Sequence, residues 1–291
     1  MPNGLKNISM NFLRKGVNRV DKALFEIYQS PRLPKPYLIV GWQTRDVGKL
    51  SSKIIHFLNE KLEGQQIAEI KPSGFFPLGG AVFKDNLIQV PESKFCACQK
   101  NDLLIFQSKE PKYEWYNFLN GLLDFAQHYC HIKELYTISA RPSLGAHTTP
   151  RRILTVYNQP EFQKMLQGYG LEDMTWEGPP AISSYLLWLA KRRDIPGISL
   201  WPEIPFYLAA GEDPAAIKLT LSFLDSRFNL GLDLGEIDSE ISNQNEKIAQ
   251  LREEDAEINE YINRLESGLS LNEEEQVKLA REVYEILEKR D

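Results

Sequence analysis

The chain has 291 residues, and its 42% hydrophobic and 11% aromatic content suits one large domain, or one domain with an appendage. A net charge of −6, without a basic stripe of interleaved aromatics, argues against nucleic acid as a partner. Because no run of about 18 apolar residues occurs, we expect no membrane span and no membrane partner.

The first 35 residues carry scattered charges and lack the apolar segment of a signal peptide. A short amphipathic pattern there (Phe12, Val17, Val20, Leu24, Phe25) predicts a helical lead-in to the first strand. The cysteines are sparse and odd in number, which disfavours a disulfide framework. Together these features predict a protein of the reducing cytoplasm.

From residue 37 onward the periodicity switches repeatedly between strand and helix. This alternation indicates βαβ crossovers and a mainly parallel sheet that is covered on both faces. We therefore predict a three-layer α/β/α domain over residues 1–235. Strands are predicted at 37–40, 66–71, 103–107, 135–140, 153–157, 174–176 and 198–201, with a hairpin-like antiparallel excursion within 81–98. Helices are predicted at 50–62, 113–129, 162–167, 181–193 and 214–228.

Residues 236–291 differ from the rest, with 17 acidic and 7 basic residues. Apolar residues at seven-residue spacing predict a helix that ends at Gly268 and has one apolar stripe, which we call the seam. Asn272 with Glu275 predicts a capping box for a second helix. The segment is interpreted as a helical hairpin or a short coiled-coil arm. Its seam either packs on the chain's own core or contacts another subunit or protein. The candidate partner or oligomer contacts are Ile241, Ile248, Leu251, Ile258, Ile262 and Leu265.

The stretch GWQTRDVGK, residues 41–49, has the glycines and the lysine of a phosphate-binding loop between a strand and a helix. That signature needs four residues between its glycines and a Ser or Thr after the lysine. Here six residues separate Gly41 from Gly48, and Leu50 follows Lys49. The dinucleotide fingerprint fails as well, because only two glycines are present. We interpret the stretch as a strand-to-helix turn.

Polar loops follow several predicted strands, and open α/β sheets bind ligands beyond the carboxyl ends of their strands. Loops are polar in any protein, so this observation alone does not distinguish a site from ordinary surface. The hydroxyl groups and arginines around His147 would suit an anion, and a hydrogen-bonded structural loop is the competing interpretation. The candidate crevice residues are Gly41, Asp46, Gly48, Glu110, His147, Thr148, Arg151 and Trp201.

No pattern in the sequence requires a metal or catalysis. His128 and His131 flank Cys130, but no second group completes the four ligands that zinc prefers. Neither a Gly-x-Ser-x-Gly elbow nor a His-Glu-x-x-His helix occurs. We therefore predict no metal, no cofactor and no catalytic residue.

Several segments, taken in order, resemble one known family. LIVGWQTRDVG resembles its first strand and Gly-Trp-x-x-x-Asp-x-Gly turn, and EPKYEW resembles its Glu-Pro-x-x-x-Trp segment. SLGAHTTPRRILTV resembles its Pro-His-Thr-Arg-Pro loop, from which Ala146 and Thr149 depart. On these motifs, residues 37–235 resemble the proteasome assembly chaperone family of the second type. EYINRLE and KLAREVYEIL resemble the helical extension of its prokaryotic members.

This resemblance implies an α/β/α domain shaped like nucleoside phosphorylases, no established enzyme activity, and homo-oligomers, with a trimer as the expected assembly. Eukaryotic and archaeal relatives assemble or engage the proteasome α-ring, several of them through a C-terminal hydrophobic-Tyr-x motif. This sequence ends in Glu288-Lys289-Arg290-Asp291, so we do not expect that route. Two functions remain. The first is a non-enzymatic oligomeric interaction protein. The second is a protein that uses the crevice for a small molecule, namely a nucleoside, a nucleotide or phosphate. It would either bind this molecule as a binding module or act on it as a phosphorylase- or hydrolase-like enzyme.

Overall fold

The computed structural model describes residues 23–288 except 85, 176 and 178–180, and in this part the chain forms a ten-stranded sheet, a separate hairpin and eight α-helices. The strands are β1 (Phe25–Ile27), β2 (Tyr37–Trp42), β3 (Gln65–Ile70), β4 (Val82–Lys84), β5 (Leu87–Gln89), β6 (Lys94–Cys98), β7 (Leu103–Ser108), β8 (Glu134–Ile138), β9 (Arg141–Ser143), β10 (Ile153–Tyr157), β11 (Glu172–Asp173) and β12 (Gly197–Pro205). The helices are α1 (Leu50–Lys61), α2 (Trp115–Asp124), α3 (Phe162–Gly168), α4 (Ile182–Lys191), α5 (Pro214–Phe228), α6 (Gly235–Glu254), α7 (Ala256–Glu266) and α8 (Glu273–Glu288).

The large sheet has a parallel centre and antiparallel flanks. Its strand order is β1-β3-β6-β7-β2-β8-β12-β10-β11, and β9 pairs with β12. The neighbours β7, β2, β8 and β12 run parallel, whereas β1, β3 and β6 are antiparallel to their neighbours. Residues 38–42 of β2 are all buried, as expected of a central strand that is covered on both faces.

Helices cover both faces of the sheet, and successive side chains of β2 pack against opposite layers of helices. Ile39 packs into one hydrophobic cluster with α1, α5 and the C-terminal helices. Its neighbours Leu38 and Val40 pack into a second cluster with α2 and α4. The predicted three-layer α/β/α fold is therefore confirmed.

The C-terminal segment contains three helices rather than two. The Asp255 side chain accepts hydrogen bonds from the backbone N–H groups of Glu257 and Ile258, at 2.9 and 3.2 Å, and so ends α6 and begins α7. The capping box of α8 is confirmed, because Asn272 Oδ1 accepts from the Glu275 N–H at 3.0 Å and Glu275 Oε2 accepts from the Asn272 N–H at 2.8 Å.

The apolar seam of this segment lies against the chain's own core instead of forming a free coiled-coil face. Ile248, Ile258 and Ile262 are fully buried, and Leu251 and Leu265 are nearly so. Ile241 is half-buried against the same cluster, which also holds residues of α1 and α5. The prediction that these six residues contact a partner is therefore not supported by their placement.

Other differences from the predicted elements are local. The helical lead-in is wrong for Leu24, which lies in a turn, and for Phe25, which lies in strand β1 paired with β3. The rest of its pattern falls within residues 1–22, outside the described residues. The strand predicted at 174–176 is wrong for Met174 and Thr175, which follow the two-residue β11 and lie in no strand; Trp176 is not among the described residues. None of the described helices is long and apolar enough to cross a membrane.

Candidate functional site

The two glycines of the GWQTRDVGK stretch are required by close packing. A Cβ on Gly41 would lie 2.4 Å from Ile55 Cγ1 and 2.8 Å from Ser51 Oγ, so α1 can approach β2 only at a glycine. Gly48 has a φ of +62°, and a Cβ there would lie 2.6 Å from Ile204 Cδ1. The stretch is therefore the predicted strand-to-helix turn, and the packing explains both glycines without a ligand.

Asp46 holds the start of α1. Its Oδ1 accepts a hydrogen bond from the Ser51 backbone N–H and its Oδ2 one from that of Ser52, both at 2.8 Å. Burial raises the pKa of Asp46, although these hydrogen bonds act in the opposite direction. The carboxylate thus stabilises unpaired N–H groups of the first helical turn.

A pocket of about 200 Å³ lies beyond the carboxyl ends of the parallel strands, and we call it the strand-end pocket. It brings together three of the predicted crevice residues, Asp46, Glu110 and Trp201. Its walls come from the ends of β2 and β8 and from the starts of α1, α2 and α4. The other lining residues are Trp42, Thr44, Arg45, Ser51, Trp115, Ile138, Ser139, Ala140, Ala181, Ile182 and Ser183.

Three residues that line this pocket each have a buried polar atom without a hydrogen-bond partner in the described part of the chain. These atoms are Nε1 of Trp42, Oγ of Ser51 and Nε1 of Trp201. Sequence reasoning missed Trp42 and Ser51, although each stands at an element boundary, Trp42 at the end of β2 and Ser51 in the first turn of α1. Burial raises the pKa of Glu110, and the charges of Arg45 and Lys112 lower it in part.

The predicted residues His147, Thr148 and Arg151 lie elsewhere, in the loop of residues 144–152, which we call the His147 loop. The Tyr207 hydroxyl accepts a hydrogen bond from the His147 N–H at 2.5 Å and lies 2.8 Å from its Nδ1. Burial lowers the pKa of His147 to about 4, with a further contribution from the charges of Arg151 and Arg252. This imidazole is therefore neutral at pH 7.

Thr148 and Arg151 also have partners within the chain. Arg151 Nε donates to Asp213 Oδ2 at 2.7 Å, in an ion pair whose side chains are 6% and 0% exposed. Thr148 Oγ1 donates to Glu266 Oε1 at 2.9 Å, which ties the loop to α7. The hydrogen-bonded structural loop, the competing interpretation of this motif, is what the structure contains.

A second pocket, of about 720 Å³ and open to solvent, lies between β9, the His147 loop and α8. The predicted residue Arg151 lines it but is paired with Asp213. Arg141 and Arg152 line it as well, and Glu203 lies between these two. Its Oε2 is 2.6 Å from Arg152 Nη2, and its Oε1 is 3.7 Å from Arg141 Nε. The arginine charge is thus partly neutralised within the chain, which makes this pocket a weaker anion site than its composition indicates.

The cysteines and histidines form no metal centre among the described residues. Cys96, Cys98 and Cys130 are free, and burial raises the pKa of each thiol. Within the same residues, no three His, Cys, Asp or Glu side chains are placed to hold a metal ion. The thiols therefore lie in the chain as small core residues.

Solved structures with the same fold share few identical residues with this chain. A proteasome-assembly chaperone homologue from Mycobacterium tuberculosis aligns with a TM-score of 0.67 and 18% identity, over 78% of this chain and 99% of its own. A protein of unknown function from Corynebacterium glutamicum gives 0.71 and 20%, over 84% and 96%. Pyrococcus furiosus PbaB, an archaeal proteasome activator, gives 0.65 and 19%, over 78% and 98%. At these identities the likeness establishes the fold.

The family itself is established by the sequence. No curated protein matches the chain, but residues 38–252 match the family model described as PAC2 family. The match spans the sheet apart from the edge strand β1, together with α1 to α5 and most of α6, and it confirms the resemblance that the ordered motifs indicated. Because well over half of the chain is covered, the protein belongs to the PAC2 family.

Proposed function

We propose that this chain is a non-enzymatic, homo-oligomeric interaction protein of the cytoplasm, with a chaperone-like role that resembles proteasome assembly chaperones. Membership of the PAC2 family supports a chaperone-like role. Two of the similar structures support it as well, because one is described as a chaperone homologue and the other as a proteasome activator. The free cysteines are consistent with a reducing compartment.

The observation that carries this proposal is the β4–β5 hairpin, which pairs with no other strand of the described chain. Phe83 and Ile88 lie opposite each other in it, and they are 82% and 68% exposed. Leu87, Val82 and Val90 are also exposed. We call these five residues the apolar hairpin.

An exposed apolar ribbon of this kind is characteristic of a protein contact. Isolated two-stranded hairpins are marginally stable in water, and contiguous exposed apolar side chains mark interaction surfaces. The unpaired strand edges also offer backbone donors and acceptors to another chain.

A second copy of this chain is the proposed occupant of the apolar hairpin. Homo-oligomer interfaces are more apolar than transient ones, and the five exposed side chains carry no charge. We propose a trimer, the assembly that the family resemblance implies. In this assembly the hairpin, and not the C-terminal seam, provides the contact between copies.

The test is the mass in solution, measured by size-exclusion chromatography with light scattering. We expect three times the mass of the 33.5 kDa monomer for the wild type and a monomer for the double variant Phe83→Lys/Ile88→Lys. The matched control is Val277→Lys/Tyr284→Lys, which alters two exposed apolar residues of α8, 65% and 41% exposed, and should keep the wild-type mass.

Two outcomes would contradict the proposal. A monomeric wild type would remove the homo-oligomer altogether. A hairpin variant that keeps the wild-type mass, with the far-ultraviolet circular dichroism of the wild type, would show that the copies meet elsewhere.

A further inference from the structure

The strand-end pocket occupies the point of the sheet where neighbouring parallel strands send their helices to opposite faces. β2 leads into α1, whose Ile54 and Ile55 pack on one face. The adjacent β7 leads into α2, whose Phe118 and Leu119 pack on the other. In open α/β sheets this divergence opens a crevice beyond the strand ends, which is where ligands bind. The position of the pocket therefore favours a binding site independently of its composition.

Residues of the pocket walls carry buried hydrogen-bond donors that have no partner in the described chain. Trp42 is 3% exposed and Ser51 is 2% exposed, and both have an unpartnered polar atom, as does Trp201. Buried polar groups are nearly always hydrogen-bonded in folded proteins. Indole N–H groups only donate, so each of the two indoles needs an acceptor atom that the described part of the chain does not supply.

The same pocket contains unused acceptors. The Glu110 carboxylate takes part in no hydrogen bond or ion pair within the described residues, although the Glu110 backbone N–H donates to Thr44 Oγ1 at 3.0 Å. Each oxygen of Asp46 accepts one backbone N–H, and the carboxylate also accepts from the Ser52 side chain, so Glu110 is the freer acceptor of the two. The ligand must therefore donate hydrogen bonds as well as accept them.

These two requirements narrow the chemistry of the ligand. A simple cation would leave the indole N–H groups and the serine hydroxyl without an acceptor. A simple anion would face the carboxylates of Asp46 and Glu110, whereas Arg45, the basic residue of the pocket, is an exposed side chain. Hydroxyl groups both donate and accept, so a neutral molecule that carries several of them satisfies both sets.

The size and the aromatic walls complete the assignment. A volume of about 200 Å³ lies below the roughly 300–1,000 Å³ of pockets for drug-sized ligands, so the site suits a single ring. Trp115 and Trp201 are half-buried in the walls and offer apolar surface to the C–H face of such a ring. We propose that the strand-end pocket binds a neutral, single-ring polyhydroxylated ligand of monosaccharide size.

The experiment is a thermal-shift screen of the full chain followed by calorimetric titration. The probes are ribose, glucose, galactose and inositol, with adenosine to detect a ribose that is carried on a nucleoside. L-Glutamate and inorganic phosphate represent the zwitterionic and anionic alternatives. We expect a saturable rise in melting temperature with at least one polyhydroxylated probe, because a ligand that binds only the folded state stabilises it.

Variants locate the binding. Ser51→Ala should weaken affinity by about 2- to 12-fold through the loss of one neutral hydrogen bond, and Glu110→Gln by about tenfold or more. Ser184→Ala is the matched control, since it makes the same change near the start of α4 without lining the pocket. It should bind like the wild type.

The proposal is overturned if no polyhydroxylated probe binds, or if glutamate or phosphate binds in preference to them. It is also overturned if Ser51→Ala and Glu110→Gln both bind with wild-type affinity. The assignment does not depend on the apolar hairpin, because the two surfaces share no residue. If the wild type is monomeric and still binds a sugar, the proposed oligomer is refuted and the proposed ligand of the strand-end pocket is retained.

Discussion

The strand-end pocket and the His147 loop are both rich in polar residues, and they differ in whether those residues have partners. In the His147 loop, the side chains of Thr148 and Arg151 donate to Glu266 and Asp213, and His147 contacts Tyr207. In the strand-end pocket, Trp42 and Ser51 have polar atoms without a partner in the described chain. Polar composition after a strand is therefore the same in the two regions, and what separates them is whether the polar groups have partners within the described chain.

The largest expected effect comes from the buried ion pair of the His147 loop. Arg151→Met would leave the fully buried carboxylate of Asp213 without its counter-charge and should lower the free energy of unfolding by about 3–5 kcal/mol. Urea denaturation followed by tryptophan fluorescence measures the loss. Arg281→Met, at a solvent-exposed pair, should leave the unfolding midpoint unchanged. Equal midpoints for the two variants would mean that the loop is not held by this pair.

A smaller effect on the free energy of unfolding is expected from the protonation of His147 as the pH falls. The pKa of its imidazole is about 4 in the folded chain and about 6.5 in the unfolded chain, so the unfolded state binds the proton first as the pH falls. Its contribution to stability is fully present above pH 6.5 and is lost progressively down to about pH 4, by about 2–3 kcal/mol.

The measurement is the free energy of unfolding of the wild type and of His147→Asn between pH 4 and pH 8. The variant does not titrate at this position, so its stability should fall less steeply between pH 6.5 and pH 4. Parallel curves for the two proteins would show that His147 is protonated in the folded chain as readily as in the unfolded one.

The smallest expected effect has the opposite sign and concerns the strand-end pocket. Ser51→Ala removes a buried hydroxyl group that has no partner among the described residues, so the ligand-free protein should become more stable, by about 1 kcal/mol. Both Ser51→Ala and Ser184→Ala raise the helix propensity of their position. The difference between their melting temperatures therefore measures the effect of removing the Ser51 hydroxyl group. A destabilised Ser51→Ala would indicate that the hydroxyl group is already hydrogen-bonded.

Much of the fold follows from local signals in the sequence. The strands of the parallel centre are continuous apolar runs, which gives β2, β7 and β8 close to their observed limits. Helix α5 begins at Pro214 because proline suits the first helical position, and the Asp213 side chain caps it by accepting from the Ala216 N–H at 3.2 Å. Such signals lie within a few residues of the element that they define.

The candidate site was predictable only in part, because its decisive contacts join distant residues. Arg151 and Asp213 are 62 positions apart, and Thr148 and Glu266 are 118 apart, so no local pattern distinguishes these paired side chains from the free Glu110. The C-terminal seam posed the same difficulty. Heptad spacing is identical whether Ile248 packs on α5 or on another subunit, and only the folded chain decides between them.

The placement of the C-terminal helices also determines when the protein can finish folding. Chains emerge from the ribosome N-terminus first, and the cluster that α1 and α5 share is closed by Ile248, Ile262 and Leu279. The apolar surface of α5 that meets α6 must therefore stay uncovered until the residues beyond 235 have been synthesised. This cluster therefore cannot be complete before Leu279 has been synthesised, which makes its closure a late step in the folding of the described chain.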